Sequence, residues 1–406
     1  MFESSCYDNA YIDKFRAKVI FCKLLNENVV NNRKYKTIYE VRIDKSFFYP
    51  GGGGQDADIA KINGKDIIYF IDSHTFYIED YLVPDIEYEC CLDLSIRYDL
   101  MQQHTAEHII SGLAHKYYSC NNIGFHMNKK IVTMDIDKIL SEEQLDRLIM
   151  EANKICRENH KVITSIYSSD EDIDQEYRSK QIFDGSIRLV TIDGVDCCAC
   201  CALHVGNTNE IGIVQLISYE KYKGGQRLTI LAANRAVNYI NKNMKIISEL
   251  NTCLSCQNDD LLNRVNTLAN ENRILKKNIN LLKTETFEIK IKEILLGNNS
   301  KKGLVYKCSN IDTNLVSRSS KYIQKLVDIN NLPINELLLI FSENKENKLF
   351  YLNFKYDSDN KPIYTCLLNN PKVKCGGNVK FLSGTLFMNN NEIDEFVQQI
   401  ELLNNQ

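Results

Sequence analysis

Two short stretches carry the residue types that could do chemistry. Gln102-Gln-His-Thr-Ala-Glu-His108 holds His104 and His108, and Cys198-Ala-Cys-Cys-Ala-Leu-His204 holds Cys200 and His204. Each is a pair of metal-type side chains four residues apart. If 104–108 is helical, both imidazoles leave one face about one turn apart. Leu100, Met101, Ile109, Ile110, Leu113 and Tyr117 give that segment an apolar stripe of helical period. Three imidazoles and one thiolate form a soft N/S set that suits one tetrahedral Zn²⁺ per chain. Either pair alone would more often be two surface side chains. The chain has only seven histidines, however, and three fall in these two pieces.

A filled set of four ligands is the pattern of a structural zinc, whereas a catalytic zinc keeps one position open. The spacing leaves both roles standing. Cys197, Cys198 and Cys201 crowd the same place. They are small buried residues or a route to metal exchange and thiol oxidation. Cys200 keeps the four-residue interval to His204 and is the expected ligand.

The elements that must position these groups follow from pattern. At 406 residues, 44% apolar and 25% charged, the chain reads as two or three globular domains. No apolar run reaches membrane-spanning length, and the N-terminus Met1-Phe-Glu-Ser-Ser-Cys6 shows no secretory signal. Fifteen cysteines, an odd number, point to a reducing compartment, so the cytoplasm is expected. A net charge of −4 means that any nucleic acid would be held by local basic patches.

Residues 15–90 are read as strands and turns, with Asn31-Asn32 and Asn63-Gly64 as hairpin turns and Ile67–Ile71 as the strand after the second. Gly51 to Gly54 make a mobile turn or a backbone that approaches a ligand closely; no helix follows them, so a phosphate cradle is not indicated. Residues 97–235 form an α+β unit, with a helix begun by the Ser141/Gln144 capping box and strands at Val162–Tyr167, Ile187–Ile192, Ile211–Ser218 and Arg227–Leu231. Ala236 to about Ile294 is helical. Leu261, Val265, Leu268, Asn272, Leu275, Ile279 and Leu282 step by four and three as a heptad seam, either intermolecular or in an antiparallel hairpin. Gly303–Cys308, a helix at Asn314–Asn330 and Glu336–Ser342 make a βαβ unit, with a further strand at Lys348–Phe354.

Four motifs in order carry a family resemblance: Phe48-Tyr-Pro-Gly-Gly-Gly-Gly-Gln-Asp56, His104-xxx-His108, Cys200-xxx-His204, and His204-Val-Gly-Asn-Thr-Asn-Glu-Ile-Gly212. They resemble the editing domain of alanyl-tRNA synthetase and its free-standing AlaX-type relatives. The resemblance implies a multi-domain α+β protein. Its parts are a small β-barrel (1–92), a zinc-binding editing domain (93–235), a helical coiled-coil-like linker (236–298) and a C-terminal α/β domain for tRNA binding and dimerisation (299–406). It implies trans-editing: hydrolysis of serine or glycine from mischarged alanine tRNA, with zinc on His104, His108, Cys200 and His204. It places Gln55 at the aminoacyl ester, with Gly52, Gly53 and Gly54 lining the pocket. Lys372, Lys374 and Lys380 are compatible with tRNA phosphates. No membrane and no ATP are expected as partners, since no adenylation unit precedes the barrel; a homodimer through the linker and C-terminal domain is.

The motif departs from the family at Leu203, where a threonine usually stands, and the segment Cys375–Thr385 is poorer in glycine. These departures keep two rivals open. One is a non-catalytic zinc-stabilised tRNA-binding protein; the other is a deacylase of another aminoacyl ester.

Overall fold

The paired Asn and Asn-Gly signals fold as tight turns with left-handed backbone, Asn31 and Asn32 at φ 50 and 62, Asn63 and Gly64 at φ 50 and 74. Both central residues have φ > 0, the type I′ geometry whose twist matches that of the flanking strands. The first turn joins Val29–Val30 to Arg33–Lys34 and the second joins Ala60–Ile62 to Lys65–Asp66. This computed structural model describes residues 5–25, 29–128, 130–169, 172–179, 186–297, 305–309, 322, 325, 326, 329, 336–343, 346–353, 361–378 and 381–404. The chain divides into two compact units, Met1–Leu250 and Asn251–Gln406. It is a mixed α+β protein.

The first unit holds two cores. A seven-stranded antiparallel sheet runs in the order Lys65–Asp66, Ala60–Ile62, Glu87–Leu92, Lys14–Leu24, Tyr39–Ile43, Thr75–Ile78, Tyr69–Phe70. It curls around Val19, Val41, Ile43, Phe48, Ile62, Phe76, Ile78 and Cys90. The expected strand at Ile67–Ile71 shrinks to Tyr69–Phe70, because Lys65–Asp66 takes up the hairpin pairing after Gly64.

The second core surrounds helix α1, Leu94–Tyr118, begun by the Asp93 carboxylate accepting from Ile96 N (3.2 Å) and ended at Ser119 in the left-handed region. The sequence pattern predicts one apolar stripe, yet every residue from Leu100 to Ala114 is buried, on all faces, while Tyr117 is exposed. Buried polar groups then need partners, at about 1–3 kcal/mol for each left unpaired. Gln103 donates to Ala232 O (2.9 Å) and accepts from Ala232 N (2.8 Å); Thr105 donates back to Met101 O (2.8 Å). Gly112 is required, since a Cβ there would sit 2.4 Å from Val195 O.

Against α1 pack helix α2, Glu142–Glu158, and two antiparallel sheets. Ser141 and Gln144 close the expected capping box, and Leu145, Leu148, Ala152, Ile155 and Cys156 form the buried stripe of α2. One sheet runs Asn122–Met127, Val132–Ile136, Gly225–Ala232, Val214–Tyr222; the other runs Val162–Tyr167, Ile187–Ile192, Asp196–Ala199. The expected strand from Ile211 starts only at Val214. A 3₁₀ turn at Thr208–Glu210 and Gly212 at φ 72 come first, fixed by the Glu210 carboxylate accepting from Tyr11, Tyr98 and Asn207 N.

The region expected to be helical from Ala236 to about Ile294 forms two helices. α3 spans Ala233–Leu254 and α4 spans Asn258–Gly297, with Ser255 at φ 50 between them. In the second unit, Val305–Ser309 pairs in parallel with Glu336–Glu343, as a βαβ connection requires. The helix expected at 314–330 lies outside the described residues except 322, 325, 326 and 329, which are helical. The sheet continues through Glu346–Asn353, Phe381–Leu386 and Val373–Asn378. Helices α5, Lys361–Asn369, and α6, Asn390–Asn404, bury Leu367, Ile393, Phe396 and Ile400.

Candidate metal centre

The fifth and ninth residues of the buried stretch of α1, His104 and His108, meet the loop after Asp196–Ala199. The ligand-type atoms of His104, His108, Cys200 and His204 all lie within 4.8 Å of one another. Cys200 Sγ is 3.7 Å from His104 Nε2 and 3.5 Å from His204 Nε2. Bonds of about 2.3 Å to sulfur and 2.0–2.1 Å to nitrogen, at a tetrahedral angle, place S and N roughly 3.5 Å apart. The donor set and its spacing therefore fit a zinc ion.

The imidazoles are oriented by the groups behind them. His108 Nδ1 lies 3.0 Å from Asp196 Oδ2, and Arg178 grips the same carboxylate through Nε (2.7 Å) and Nη2 (2.8 Å). Burial pushes Asp196 up, but the bonds from His108 and Arg178 outweigh it and hold the carboxyl below its ordinary value. An ionised Asp196 only accepts, so Nδ1 of His108 carries a hydrogen and Nε2 is the nitrogen left to face a metal. For His204, the Thr105 hydroxyl spends its one hydrogen on Met101 O and so accepts from Nδ1 at 3.1 Å. His204 Nε2 is thereby free to ligate. Burial alone would raise the Cys200 thiol; the surrounding imidazoles reverse this and hold it well below its ordinary value. His104 stacks on Phe125, with centroids 4.9 Å apart and planes at 16°, and its buried Nδ1 has no hydrogen-bond partner among the described residues.

Main-chain bonds set the ligand loop. Arg188 Nη1 donates to Cys200 O and Ala202 O, both at 2.8 Å, and Tyr7 OH donates to Cys201 O (2.8 Å). Leu203 N donates to Gln55 Oε1 (3.2 Å), while Leu203's side chain is buried in the core around α1. Gln55 thus sits beside the ligand loop, 4% exposed, with its buried Nε2 lacking a hydrogen-bond partner among the described residues.

The glycines are placed by contact as well as by conformation. Gly51 to Gly54 all have φ between +56 and +137. A Cβ on Gly53 would lie 3.2 Å from Ala202 N, and one on Gly54 would lie 2.5 Å from the Phe125 ring. Gly52 O accepts from Tyr49 OH (2.7 Å). The loop is anchored from below: Asp58 accepts from Tyr49 N (2.6 Å) and from Arg97 Nε (2.9 Å), and Arg97 Nη2 donates to Phe47 O (2.7 Å).

Sequence reasoning missed Asp58, Arg97, Arg178, Arg188 and Asp196. No local motif marks a charge whose partner lies 12 to 39 residues or more away; the one available signal was their charged type inside apolar runs. It missed Glu107 too, whose Oε2 lies 4.0 and 3.9 Å from Nε2 of His104 and His108. Among the other thiols, Cys201 is exposed and Cys197 lies 3.4 Å from Thr191 Oγ1. Cys198 forms a second potential ligand group with His108 and Asp196, its thiol pushed up to about 11 by burial. A cleft of about 870 Å³ opens on the Asp196 side, lined by His115, Lys116, Arg178, Asp196 and Cys198 among others. Its cations are engaged, Lys116 by Gly194 O (2.8 Å) and Arg178 by Asp196.

The second unit places Lys374 on a strand and ties Lys372 to Glu392 at 2.8 Å; Lys380 lies outside the described residues. No described helix is long and apolar enough to cross a membrane.

Residues 187–229 match the family described as the Threonyl and Alanyl tRNA synthetase second additional domain. Over 290 residues the chain is 26% identical to the bovine (Bos taurus) alanyl-tRNA editing protein Aarsd1, covering 68% of this chain and 65% of that protein. It is 27% identical over 298 residues to the alanyl-tRNA editing protein AlaX-L of Pyrococcus horikoshii, covering 70% and 74%. It is 28% identical over 309 residues to the alanine–tRNA ligase of Methanococcus aeolicus, covering 72% of this chain but 32% of the ligase. The resemblance carried by the four motifs is thereby borne out: the chain is akin to the AlaX-type alanyl-tRNA editing proteins.

Proposed function

We propose that this chain is a trans-editing deacylase, hydrolysing the ester between serine or glycine and the 3′ end of alanine tRNA at a zinc centre held by His104, His108, Cys200 and His204. The observation that carries it is the meeting of four ligand atoms, from two segments about ninety residues apart, in a relative of proteins named for alanyl-tRNA editing. When bound, zinc supplies a Lewis acid or a fixed template for the substrate.

The chain's own groups do the rest. Gln55 is pinned through Oε1 to Leu203 N and has Nε2 unspent; it donates to an oxygen of the aminoacyl ester. Gly52, Gly53 and Gly54 line the aminoacyl pocket, and a Cβ on Gly53 or Gly54 would push the main chain off Ala202 or Phe125. Phe125, stacked on His104, keeps water from that face of the ring. An aminoacyl ester is already activated, so holding it and excluding a larger side chain is most of the task. A buried donor that the serine hydroxyl satisfies discriminates better than a missing methylene.

In this reading residues 1–92 form a small barrel, 93–235 the editing domain, 236–298 the linker and 299–406 the tRNA-binding domain. Lys374 and Lys380 contact phosphates, with Lys372 available once it leaves Glu392, and two chains associate through the linker. In this reading the protein works in a reducing compartment, the cytoplasm, which its fifteen cysteines support.

A second reading is favoured by the ligand count. Four protein ligands complete a tetrahedron, as in a structural zinc, which suits a protein that captures tRNA without turnover. Single-turnover deacylation of alanine tRNA charged with serine, glycine or alanine separates the two. The first reading predicts loss of serine or glycine with alanine spared, and binding without ester loss would replace it with the second.

A further inference from the structure

The three imidazoles of the candidate metal centre are not held alike. Behind His108 stands Asp196, 3.0 Å from Nδ1 and itself clamped by Arg178. Behind His204 stands the Thr105 hydroxyl, 3.1 Å from Nδ1 and itself tied to Met101 O and Val205 N. Cys200 is fixed through its main chain, its N donating to Arg188 O (3.0 Å) and its O accepting from Arg188 Nη1 (2.8 Å). His104 differs. Its Nδ1 is buried without a hydrogen-bond partner among the described residues, and its ring rests face to face on Phe125. A ligating histidine ordinarily donates its second N–H to a carboxylate, a carbonyl or water, and losing that partner weakens metal binding about 10–100-fold.

The two tautomers of His104 carry different penalties. Ligation through Nε2, the nitrogen 3.7 Å from Cys200 Sγ, forces the hydrogen onto Nδ1, where a buried donor meets no acceptor. Off the metal the hydrogen sits on Nε2 instead, and Glu107 Oε2, one helical turn on, lies 4.0 Å from it. A small in-plane slide of the ring over Phe125 brings the two into hydrogen-bond range. Glu107 is set for this, because Ser111 Oγ and Asn122 Nδ2 both donate to its other oxygen, Oε1. The fold therefore favours ligation by His104 less than by His108 or His204.

We propose that His104 is the exchangeable ligand of the centre: His108, Cys200 and His204 hold the ion, while His104 swings between it and Glu107. The inference rests on the zinc-dependent reading above and deepens it, since a set of four protein ligands then still yields the open position that a catalytic zinc needs. The ring on which His104 slides is the one that a Cβ on Gly54 would meet at 2.5 Å. The exchangeable ligand is thus backed by a wall of the glycine loop.

Cobalt(II) in place of zinc, followed by visible spectroscopy on the full-length chain, tests it. Wild type is expected to take up one cobalt per chain. His104→Ala is expected to lose no more affinity than the loss of one outer partner costs, about 10–100-fold, and His108→Ala and His204→Ala at least ten times more than that. Azide is expected to change the wild-type spectrum, and to bind His104→Ala at least tenfold more tightly because no imidazole competes. A His104→Ala protein as weak as His108→Ala, a wild-type spectrum indifferent to azide, or equal azide affinity in wild type and His104→Ala would each overturn the proposal while leaving the centre in place. A wild-type chain that takes up no cobalt would overturn both. None of these readouts needs tRNA, so a failure to release serine is a separate result.

Discussion

Arg97 and Asp58 form an ion pair with almost no solvent exposure, 0% and 3% at their side chains. It ties the helix that carries His104 and His108 to the loop that carries Gln55. The guanidinium also holds Phe47 O and Ala10 O, and the carboxylate also takes Tyr49 N. The glycine loop is therefore tied to the helix of the candidate ligands His104 and His108 by this buried contact, and to the loop of Cys200 and His204 by the bond from Leu203 N to Gln55 Oε1.

Breaking that contact should cost stability before it costs chemistry. Removing one partner of a buried pair leaves an uncompensated charge, at about 3–5 kcal/mol. Arg97→Met is expected to lower the urea midpoint accordingly, with Asp58→Asn falling in the same range. A loss below about 1 kcal/mol in both would show that the pair is not what locates the loop.

Gly54 and Gly64 separate strain from contact. Both have positive φ, +84 and +74, but only Gly54 would push a Cβ into Phe125; Gly64 has nothing within 4 Å. Each change to alanine should destabilise by about 1 kcal/mol through backbone strain. Gly54→Ala alone should also displace the ring stacked on His104 and lower deacylation tenfold or more. Equal activity in the two variants would remove Phe125 and Gly54 from the site.

The ligand spacing was legible in the sequence because four-residue intervals survive folding: on α1 as one helical turn, at 200–204 as a loop around one sulfur. The Ser141 cap and the Asn-Gly turns were legible for the same reason, being local. Asp196 was not, because only the packing of Asp196–Ala199 against Gly112 brings it to His108. Nor was the burial of α1 on all faces, since Gln103 and Thr105 look like solvent-facing positions until Ala232 and Met101 supply their partners. The break at Ser255 also escaped, as no glycine or proline marks it.

Asp196 is expected to govern metal affinity without ligating. Partners of ligating histidines are worth about 10–100-fold in metal binding, so Asp196→Asn should weaken zinc by that factor in a competition titration with a chromogenic chelator. Arg178→Met, which leaves the carboxylate in place but loosens it, should fall between. Wild-type affinity in Asp196→Asn would mean that His108 is oriented by something else.

Cys200 and Cys201 make a neighbouring pair with opposite expectations. Cys200→Ala removes a sulfur 3.5 Å from His204 Nε2 and should leave the purified protein with little zinc. Cys201→Ala removes an exposed thiol and should retain one zinc per chain. Metal analysis of the two proteins checks this, and the reverse outcome would reassign the ligand.

Gln55 tests the substrate side. Gln55→Ala should keep zinc and fold, yet lower serine release by about 10²-fold, a loss of the size seen when one positioned donor is removed from a reacting oxygen. Full activity in that variant would leave the buried Nε2 without a role.

The most direct measurement is the single-turnover rate of serine release from serine-charged alanine tRNA, taken before chelation, after it, and after zinc is returned. The account predicts release that falls with the zinc content and recovers with it. Release that continues at full rate in metal-free, folded protein, or no release from the fully loaded protein, would contradict a zinc-dependent deacylase at His104, His108, Cys200 and His204.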